Sequence, residues 1–576
     1  MKILFLTHSF NSLAQRLYIE LMRCGHEVSI EFDINDAVTV QAVELYRPDL
    51  IIAPFLKRAI PEAVWRNHVC FVVHPGIVGD RGPSALDWAI MRDCTEWGVT
   101  VLQANGEMDG GDIWAAETFP MRLAKKSSLY RNEVSDAAVR AVLAAVEHFQ
   151  SGSYKPQKLD YSRPGVCGQL HAPIRQDDRA INWWRDDTHA VLKKIHAADG
   201  FPGVLDTLCG NDYYLFDACA EGTLRGNQPG AIIAQRNGAI CRATLDGAVW
   251  IGHLKRKDEG GQTFKLPSTL ALGEQLGDVP EVPLDPFSPC TGETCRDVWF
   301  EQKNSVGYLH FDFYNGAMST GQCERLRDTY LAATQRDVRV IVLMGGADFW
   351  SNGIHLNCIE AAVSPADESW RNINAMNDLV RAIITNTSQL TIAALQGNAG
   401  AGGVFLSLAA DRVYACEGVV LNPHYRGMGN LYGSEYWTYL LPRRVGNEKA
   451  ALLTQNRLPI GAAEACEMKL IDGCFGTDRA NFLAKITQLA EGLGAGPDYV
   501  MLLREKKTLR ECDEKKKTLD SYRAEELQHM KLNFYGFDPS YHVARYNFVY
   551  KIPHAWTPLY LARHRRIIQN SVCAIL

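Results

Sequence analysis

Twice along this chain, short unbroken runs of apolar residues alternate with amphipathic helices, and no other pattern in the sequence restricts the fold as much. In the first set, Lys2–Thr7 reads as a buried strand and Leu13–Cys24 as an amphipathic helix stopped by Gly25. Val28–Phe32, Leu50–Pro54 and Cys70–Val73 read as further short strands. The second set starts at Asn304 with strand Val306–Phe311, helix Gly321–Arg336 and strand Val338–Met344, and ends near Phe482. Strands apolar on both faces and separated by helices belong in parallel sheets covered on both sides. Both sets therefore predict α/β architecture. Ligands of such sheets bind beyond the carboxyl ends of the strands, which points to Thr7-His8-Ser9 and His74-Pro75-Gly76.

Between the two sets the texture changes. A helix around Asp187–Ala198 precedes short strands near Tyr213–Phe216, Ala231–Ala234, Ala239–Ala243 and Val249–Leu254, punctuated by Gly and Asn. Residues 266–297 carry five prolines and three glycines with little periodicity, as a linker does. The expected organisation of this α/β multidomain chain is a parallel-sheet domain at 1–165 and a small β-rich, OB-like domain at 166–265. The linker 266–297, a second α/β domain at 298–490 and a helical extension at 491–576 follow. In that extension the charged stretch Arg504–Met530 reads as a solvated helix face.

At 576 residues the chain is too long for one core. Its net charge of −6 argues against a general nucleic-acid-binding surface and leaves room for a local basic pocket. The 16 cysteines are scattered without paired CxxC spacing, which fits reduced thiols better than disulfides or a metal set. No run approaches the roughly 20 apolar residues that span a bilayer. The expectation is a cytoplasmic protein that binds neither membrane, nucleic acid nor metal.

His74 ends a buried strand, so its ring should project into a loop-lined cleft. Some way downstream, Met108-Asp109-Gly110-Gly111-Asp112 makes a tight loop carrying Asp109. A His and a carboxylate on adjacent loops can share a proton, as general acid–base chemistry requires, although a His in such a place is as often structural. His74-Pro75, Arg81-Gly82-Pro83-Ser84-Ala85, Gly98-Val99-Thr100 and Met108–Asp112 stand in the order and spacing of folate-dependent formyltransferases. The methionyl-tRNA formyltransferase type is the most similar. Ile181-Asn182-Trp183 and Pro229-Gly230-Ala231-Ile232 resemble the C-terminal domain of that family. The resemblance implies 10-formyltetrahydrofolate as formyl donor, with His74 stabilising the tetrahedral oxyanion and Asp109 organising proton transfer. The family has an Asn two residues before the His, where this chain has Val72. Gln103 or Asn105 could supply the lost donor, and Lys57, Gln103 and Asn105 are the folate-binding candidates. Methionyl-tRNA is disfavoured as acceptor, because the chain carries a second catalytic-type domain and no evident basic surface.

The second constellation lies in Val340–Leu356, VIVLMGGADFWSNGIHL, and Leu395–Glu435, LQGNAGAGGVFLSLAADRVYACEGVVLNPHYRGMGNLYGSE. The glycines alone could be a structural turn or a loose dinucleotide motif, though no acidic ribose partner is evident. The two segments, with Ala409-Ala410-Asp411-Arg412 and Pro459–Ala465, resemble the crotonase (enoyl-CoA hydratase/isomerase) superfamily. That resemblance implies a thioester cradle in which the backbone N–H groups of Ile354 and Gly402 hold an oxyanion. The two glutamates of a hydratase are absent: Phe405 stands at the first position and Tyr425 at the second. Glu435 falls where some relatives carry an alternative acid, so Tyr425 and Glu435 are the catalytic candidates. His355 and His424 read as structural.

The pairing of the two halves resembles a family of [NiFe]-hydrogenase maturation proteins that fuse them in this order. It implies formyl transfer from 10-formyltetrahydrofolate to coenzyme A, then decarbonylation of formyl-CoA to CO and CoA. It also implies small-molecule substrates and hydrogenase maturation proteins as partners. Arg131, Arg545 and the Arg563–Arg566 cluster are the candidate cations for CoA phosphates. Three alternatives stay open: a formyltransferase for another small acceptor, an acyl-CoA hydratase or isomerase, and a crotonase-like half that is a non-catalytic scaffold.

Overall fold

The computed structural model describes residues 1–258, 261–290 and 292–566, so the last ten residues of the extension 491–576 lie outside it. In the first sheet, β1 (Lys2–Thr7), β2 (Glu27–Phe32), β3 (Leu50–Ala53) and β4 (Cys70–His74) pair in parallel in the order β2-β1-β3-β4. All of β3 is buried, as are all but the first residues of β1 and β2, because helices cover both faces. Helix Ser12–Arg23 buries Leu13, Leu17 and Leu21, spaced four apart, and Asn11 caps it by accepting from Ala14 N–H at 3.0 Å.

One end of this sheet departs from the parallel expectation. β5 (Glu96–Gln103) runs antiparallel to β4, and β6 (Ile113–Pro120) antiparallel to β5. A hairpin needs no crossover helix, and an apolar run reports burial without reporting strand direction. The loop joining β5 to β6 carries Asp109 back toward His74 at the end of β4.

The second sheet is antiparallel: β7 (Val204–Leu208), β8 (Asn211–Glu221), β9 (Ile232–Arg236), β10 (Ala239–Ala243) and β11 (Ala248–Arg256), in the order β7-β8-β11-β10-β9. Helix Thr188–Ala198 packs on it through Val191, Leu192 and Ile195. The segment 266–297 lies along this sheet. β12 (Leu266–Pro267) pairs with β11, Leu272 is buried, and Val282 N–H donates to Gln235 O at 2.9 Å.

The third sheet runs β13 (Val298–Lys303), β14 (Val306–Phe311), β15 (Val340–Leu343), β17 (Leu390–Leu395), β19 (Arg412–Ala415), β22 (Gly473–Cys474). A smaller sheet holds β16 (Phe349–Ser351), β18 (Asn398–Gly400), β20 (Val420–Asn422) and β21 (Ile460–Gly461). The chain passes repeatedly between the two. β16 and β18 pair in parallel, so the segments that follow them, bearing Ile354 and Gly402, lie side by side.

The charged stretch after Arg504 is two helices, Tyr499–Lys516 and Leu519–Tyr535, the second capped by Thr518. Its solvated-face reading fails for the second helix, whose Glu526, Met530 and Phe534 are buried against the crotonase-like core. After helix Ser540–Val549 the chain returns to the first sheet and covers its edge strand β2. Ile30 N–H donates to Leu561 O at 3.1 Å, and Phe32 N–H to Thr557 Oγ1 at 2.9 Å.

Candidate functional site

His74 is buried at the end of β4 between two carboxylates. Nε2 lies 2.9 Å from Asp80 Oδ1 and Nδ1 lies 3.6 Å from Asp109 Oδ2. Asp109 adopts φ 50°, and its Oδ2 accepts from Gly82 N–H at 3.0 Å. The Arg81-Gly82 segment thus positions the acid through its backbone. Sequence reasoning missed Asp80. Its one signal is a carboxylate six residues after His74, and its other oxygen faces His171 Nε2 at 3.5 Å. Two ring nitrogens flanked by carboxylates give an imidazole that can hold or pass a proton in either direction.

The folate-binding candidates are placed unequally around this centre. Gln103 Oε1 accepts from Trp114 Nε1 at 3.1 Å, and Asn105 Oδ1 accepts from Glu107 N–H at 2.8 Å. Both brace the loop that carries Asp109. Lys57 is exposed, its ammonium 5.9 Å from the Phe201 ring centroid. Val72 sits on β4 with no polar atom to offer, as its side chain dictates.

In the second half, Gly402 opens helix Gly402–Leu408, and its N–H has no intrahelical acceptor. Neither this amide nor that of Ile354 donates to another group among the described residues. A Cβ at Gly353 would lie 3.4 Å from Gly402 N, so the backbone segments that carry the two amides are close neighbours. Above them, Tyr425 Oη donates to Glu435 Oε2 at 2.5 Å and to Ser434 O at 3.0 Å. Glu435 Oε1 lies over Gly402, where a Cβ would stand only 2.2 Å from it. Only glycine leaves the carboxyl that space.

Burial pushes Glu435 up to about 8; the Tyr425 hydrogen bond opposes this and the nearby Glu526 adds to it. Burial and the Glu435 carboxyl both raise the Tyr425 phenol well above its ordinary value. Tyr425 is therefore a fixed hydrogen-bond donor to Glu435. Phe405 stacks on the Tyr425 ring with centroids 5.3 Å apart and planes 18° apart, closing the pocket with an apolar wall. His355 caps helix Leu356–Ala361 by accepting from Cys358 N–H at 3.2 Å, the structural role expected of it.

The two halves meet in a polar junction. Arg131 lies on a π-helical turn, Tyr130–Val134, and its Nη2 donates to Asn315 Oδ1 at 3.0 Å across the junction. Its guanidinium stands 4.6 Å from the Phe349 ring centroid. Lys265 reaches the same region, donating to Gly200 O at 2.7 Å and Tyr314 Oη at 3.2 Å. Burial pushes its ammonium down to about 8; Asp199 opposes this, while Arg131, Lys551 and Lys255 repel it. Arg131 and Lys551 thus lie within electrostatic reach of Lys265, and Arg131 also pairs with Asp348 at 3.5 Å. Motif reading could not find the lysines, which come from segments with no family signature. Arg545 is committed elsewhere: its Nε pairs with Glu360 at 2.7 Å and its Nη1 meets His542 at 2.7 Å. The Arg563–Arg566 cluster belongs to the cover over β2, where Arg565 Nε pairs with Glu31 at 2.6 Å.

Comparison with known proteins finds three family models along the chain. The formyl transferase family model matches residues 26–146, the formyl transferase C-terminal domain matches 173–268, and enoyl-CoA hydratase/isomerase matches 301–534. A methionyl-tRNA formyltransferase of Roseiflexus sp. is 25% identical over 274 residues, covering 45% of this chain and 79% of that protein. A crystal structure of HypX from Aquifex aeolicus in complex with tetrahydrofolic acid superposes with a TM-score of 0.95 at 49% identity, covering 98% of this chain and 99% of that one. The hydrogenase maturation factor HoxX of Bradyrhizobium diazoefficiens is 53% identical over 565 residues, 98% of this chain and 97% of that protein. Near-identical length, two matched halves in one order and that level of identity place this chain in the HoxX (HypX) family of hydrogenase maturation factors.

Proposed function

We propose that the first half transfers the formyl group of 10-formyltetrahydrofolate to the thiol of coenzyme A, and that the second half splits formyl-CoA into CO and CoA. The CO would serve as the ligand of a [NiFe]-hydrogenase iron, delivered in the cytoplasm with other maturation proteins. In the first step the CoA sulfur bonds to the formyl carbon. His74 stabilises the oxyanion, and Asp109 conducts the thiol proton to the departing folate nitrogen. Arg131, Lys265 and Lys551 carry the charge expected of a site for the CoA phosphates.

The observation that carries this reading is the Tyr425–Glu435 pair set beside the neighbouring Ile354 and Gly402 amides, with Phe405 in place of a second acid. A formyl thioester has neither an α-carbon nor a double bond, so hydratase glutamates have no task. The Ile354 and Gly402 amides polarise the C=O. Glu435 accepts the formyl proton as the C–S bond breaks and its electron pair leaves on sulfur. CO departs, and the proton passes from Glu435 to the thiolate. A buried carboxyl raised to about 8 is a stronger base, once ionised, than an ordinary carboxylate.

Tyr425→Phe and Glu435→Gln separate the two steps. With 10-formyltetrahydrofolate and CoA, both variants should still release tetrahydrofolate and should accumulate formyl-CoA, detected by mass spectrometry, while CO falls about 10²-fold or more. Undiminished CO from both variants would remove these residues from the mechanism.

A further inference from the structure

A second buried carboxylate stands behind the Tyr425–Glu435 pair, and it comes from helix Leu519–Tyr535, outside the motif-bearing loops. Glu526 is fully buried. Its Oε2 accepts from Tyr436 N–H at 2.9 Å and from Ser434 Oγ at 3.3 Å. Its Oε1 accepts from Thr438 N–H at 2.9 Å and from Thr438 Oγ1 at 2.6 Å. Two of these donors are backbone amides, which cannot reverse. Burial pushes Glu526 up to about 7 while the Thr438, Tyr436 and Ser434 hydrogen bonds oppose it, so the carboxyl is largely ionised only above that pH.

The turn that Glu526 grips is strained. Glu435 has φ 60° and Tyr436 φ 58°, the left-handed region that side-chain-bearing residues seldom occupy. Asn377, on helix Pro365–Thr385, holds its other side: Glu435 N–H donates to Asn377 Oδ1 at 2.7 Å, and Ser434 Oγ lies 3.0 Å from the same atom. Two clamps on a strained turn at a reaction centre over-determine the direction of one side chain, Glu435.

We propose that Glu526 is the positioning residue of the second site: it clamps the left-handed turn that aims Glu435 at the oxyanion donors, and above neutral pH it places a negative charge behind that carboxyl. This rests on the reading of Glu435 as acceptor of the formyl proton. The titratable groups facing Glu435 are Tyr425 on its own loop, Glu526, and the Cys323 thiol on helix Thr320–Ala333. The cations Arg381 and Arg523 act on the neighbouring Tyr436 ring. Among these groups only Glu526 brings a like charge, which makes Glu435 hold its proton more tightly and accept one more readily. The geometry also explains why a helix far along the sequence is buried against a loop that the motifs place elsewhere.

Infrared titration of the full-length protein tests this without turnover. The carboxylic C=O band that disappears in Glu435→Gln reports Glu435 directly, with a wild-type midpoint of about 8. Glu526→Gln should move that midpoint down by about one pH unit, and Asn377→Asp, which adds a like charge on the opposite clamp, should move it up by about as much. The alkaline rise of CO release should move with the midpoint in each variant. Opposite shifts cannot come from a merely loosened turn. Midpoints unmoved in both folded variants would overturn the proposal. Wild-type protein that releases no CO, while the midpoints still move in opposite directions, would instead overturn the decarbonylation reading and support the charge effect of Glu526.

Discussion

Glu435 and Glu31 are both fully buried carboxylates, and their surroundings push them in opposite directions. Burial raises Glu31 as well, but hydrogen bonds from His564, Thr557 and Arg565 outweigh it and bring it below the ordinary value. Glu435 has only Tyr425 and one amide to oppose burial, and it rises to about 8. A carboxyl that keeps its proton in the folded chain above the ordinary value of 4.5 supports folding fully below that value. That support is lost as pH rises toward about 8. Glu435→Gln removes the loss, so urea denaturation should show the variant gaining on the wild type between about pH 5 and pH 8, by a few kcal/mol at the upper end. A pH-independent difference would mean that Glu435 is ionised in the folded protein. At this scale, the candidates that motifs carry were legible as positions: His74, Asp109, Tyr425, Glu435 and the Ile354 and Gly402 amides proposed as oxyanion donors all have fixed places in short segments. Asn377, Glu526, Lys265 and Lys551 were not, because each reaches its site only through contacts between segments distant in sequence, and Asp80, only six residues from His74, stands outside the motifs.

Among the elements, helix Gly402–Leu408 constrains the second site most. Its first amide is the proposed oxyanion donor, and the missing side chain at Gly402 makes room for the Glu435 carboxyl. In Gly402→Ala the new Cβ would stand 2.2 Å from Glu435 Oε1, so either the carboxyl or the amide must move. CO release should fall about 10²-fold, while release of tetrahydrofolate from 10-formyltetrahydrofolate stays at the wild-type rate. A parallel fall in both would mean that the two halves do not act in sequence. The parallel strands were legible from their unbroken apolar runs, and the helices between them from periodicity and caps. The β5–β6 hairpin was not, since burial of a strand on both faces looks the same whichever way it runs. The division of the charged stretch at Thr518 was missed for a related reason. Composition marks a helix as solvated, but one buried face of Glu526, Met530 and Phe534 is hidden among the charges.

At the scale of the whole molecule, the chain closes on itself. Residues beyond helix Ser540–Val549 return to cover β2, the edge strand of the first sheet. His564 bridges Ser29 Oγ at 2.7 Å and Glu31 Oε2 at 2.8 Å. An uncovered edge strand exposes unpaired backbone groups, and Glu31 is the residue on which Thr557, His564 and Arg565 converge. Glu31→Ala should release this cover, and hydrogen exchange at the Ile30 and Phe32 amides should quicken by one to two orders of magnitude, about 1–3 kcal/mol of protection. Because Glu31 lies below its ordinary value, the same protection in the wild type is full above that value and is lost as pH falls through the folded-state one. Unchanged exchange would show that the cover is held by the backbone contacts alone. Arg131 bridges the halves to Asn315, and Arg131 and Lys551 lie within electrostatic reach of Lys265 there; the proposed function has one acyl carrier serve both sites from this polar junction.

That sharing is the centre of the account, and one measurement addresses it most directly. Purified protein would be given 10-formyltetrahydrofolate labelled with ¹³C in the formyl group, together with CoA, and the released gas would be trapped on haemoglobin. The expected result is ¹³CO bound to haem in proportion to the tetrahydrofolate formed, and none when CoA is withheld. Tetrahydrofolate formed without ¹³CO, or ¹³CO formed equally well without CoA, would contradict it.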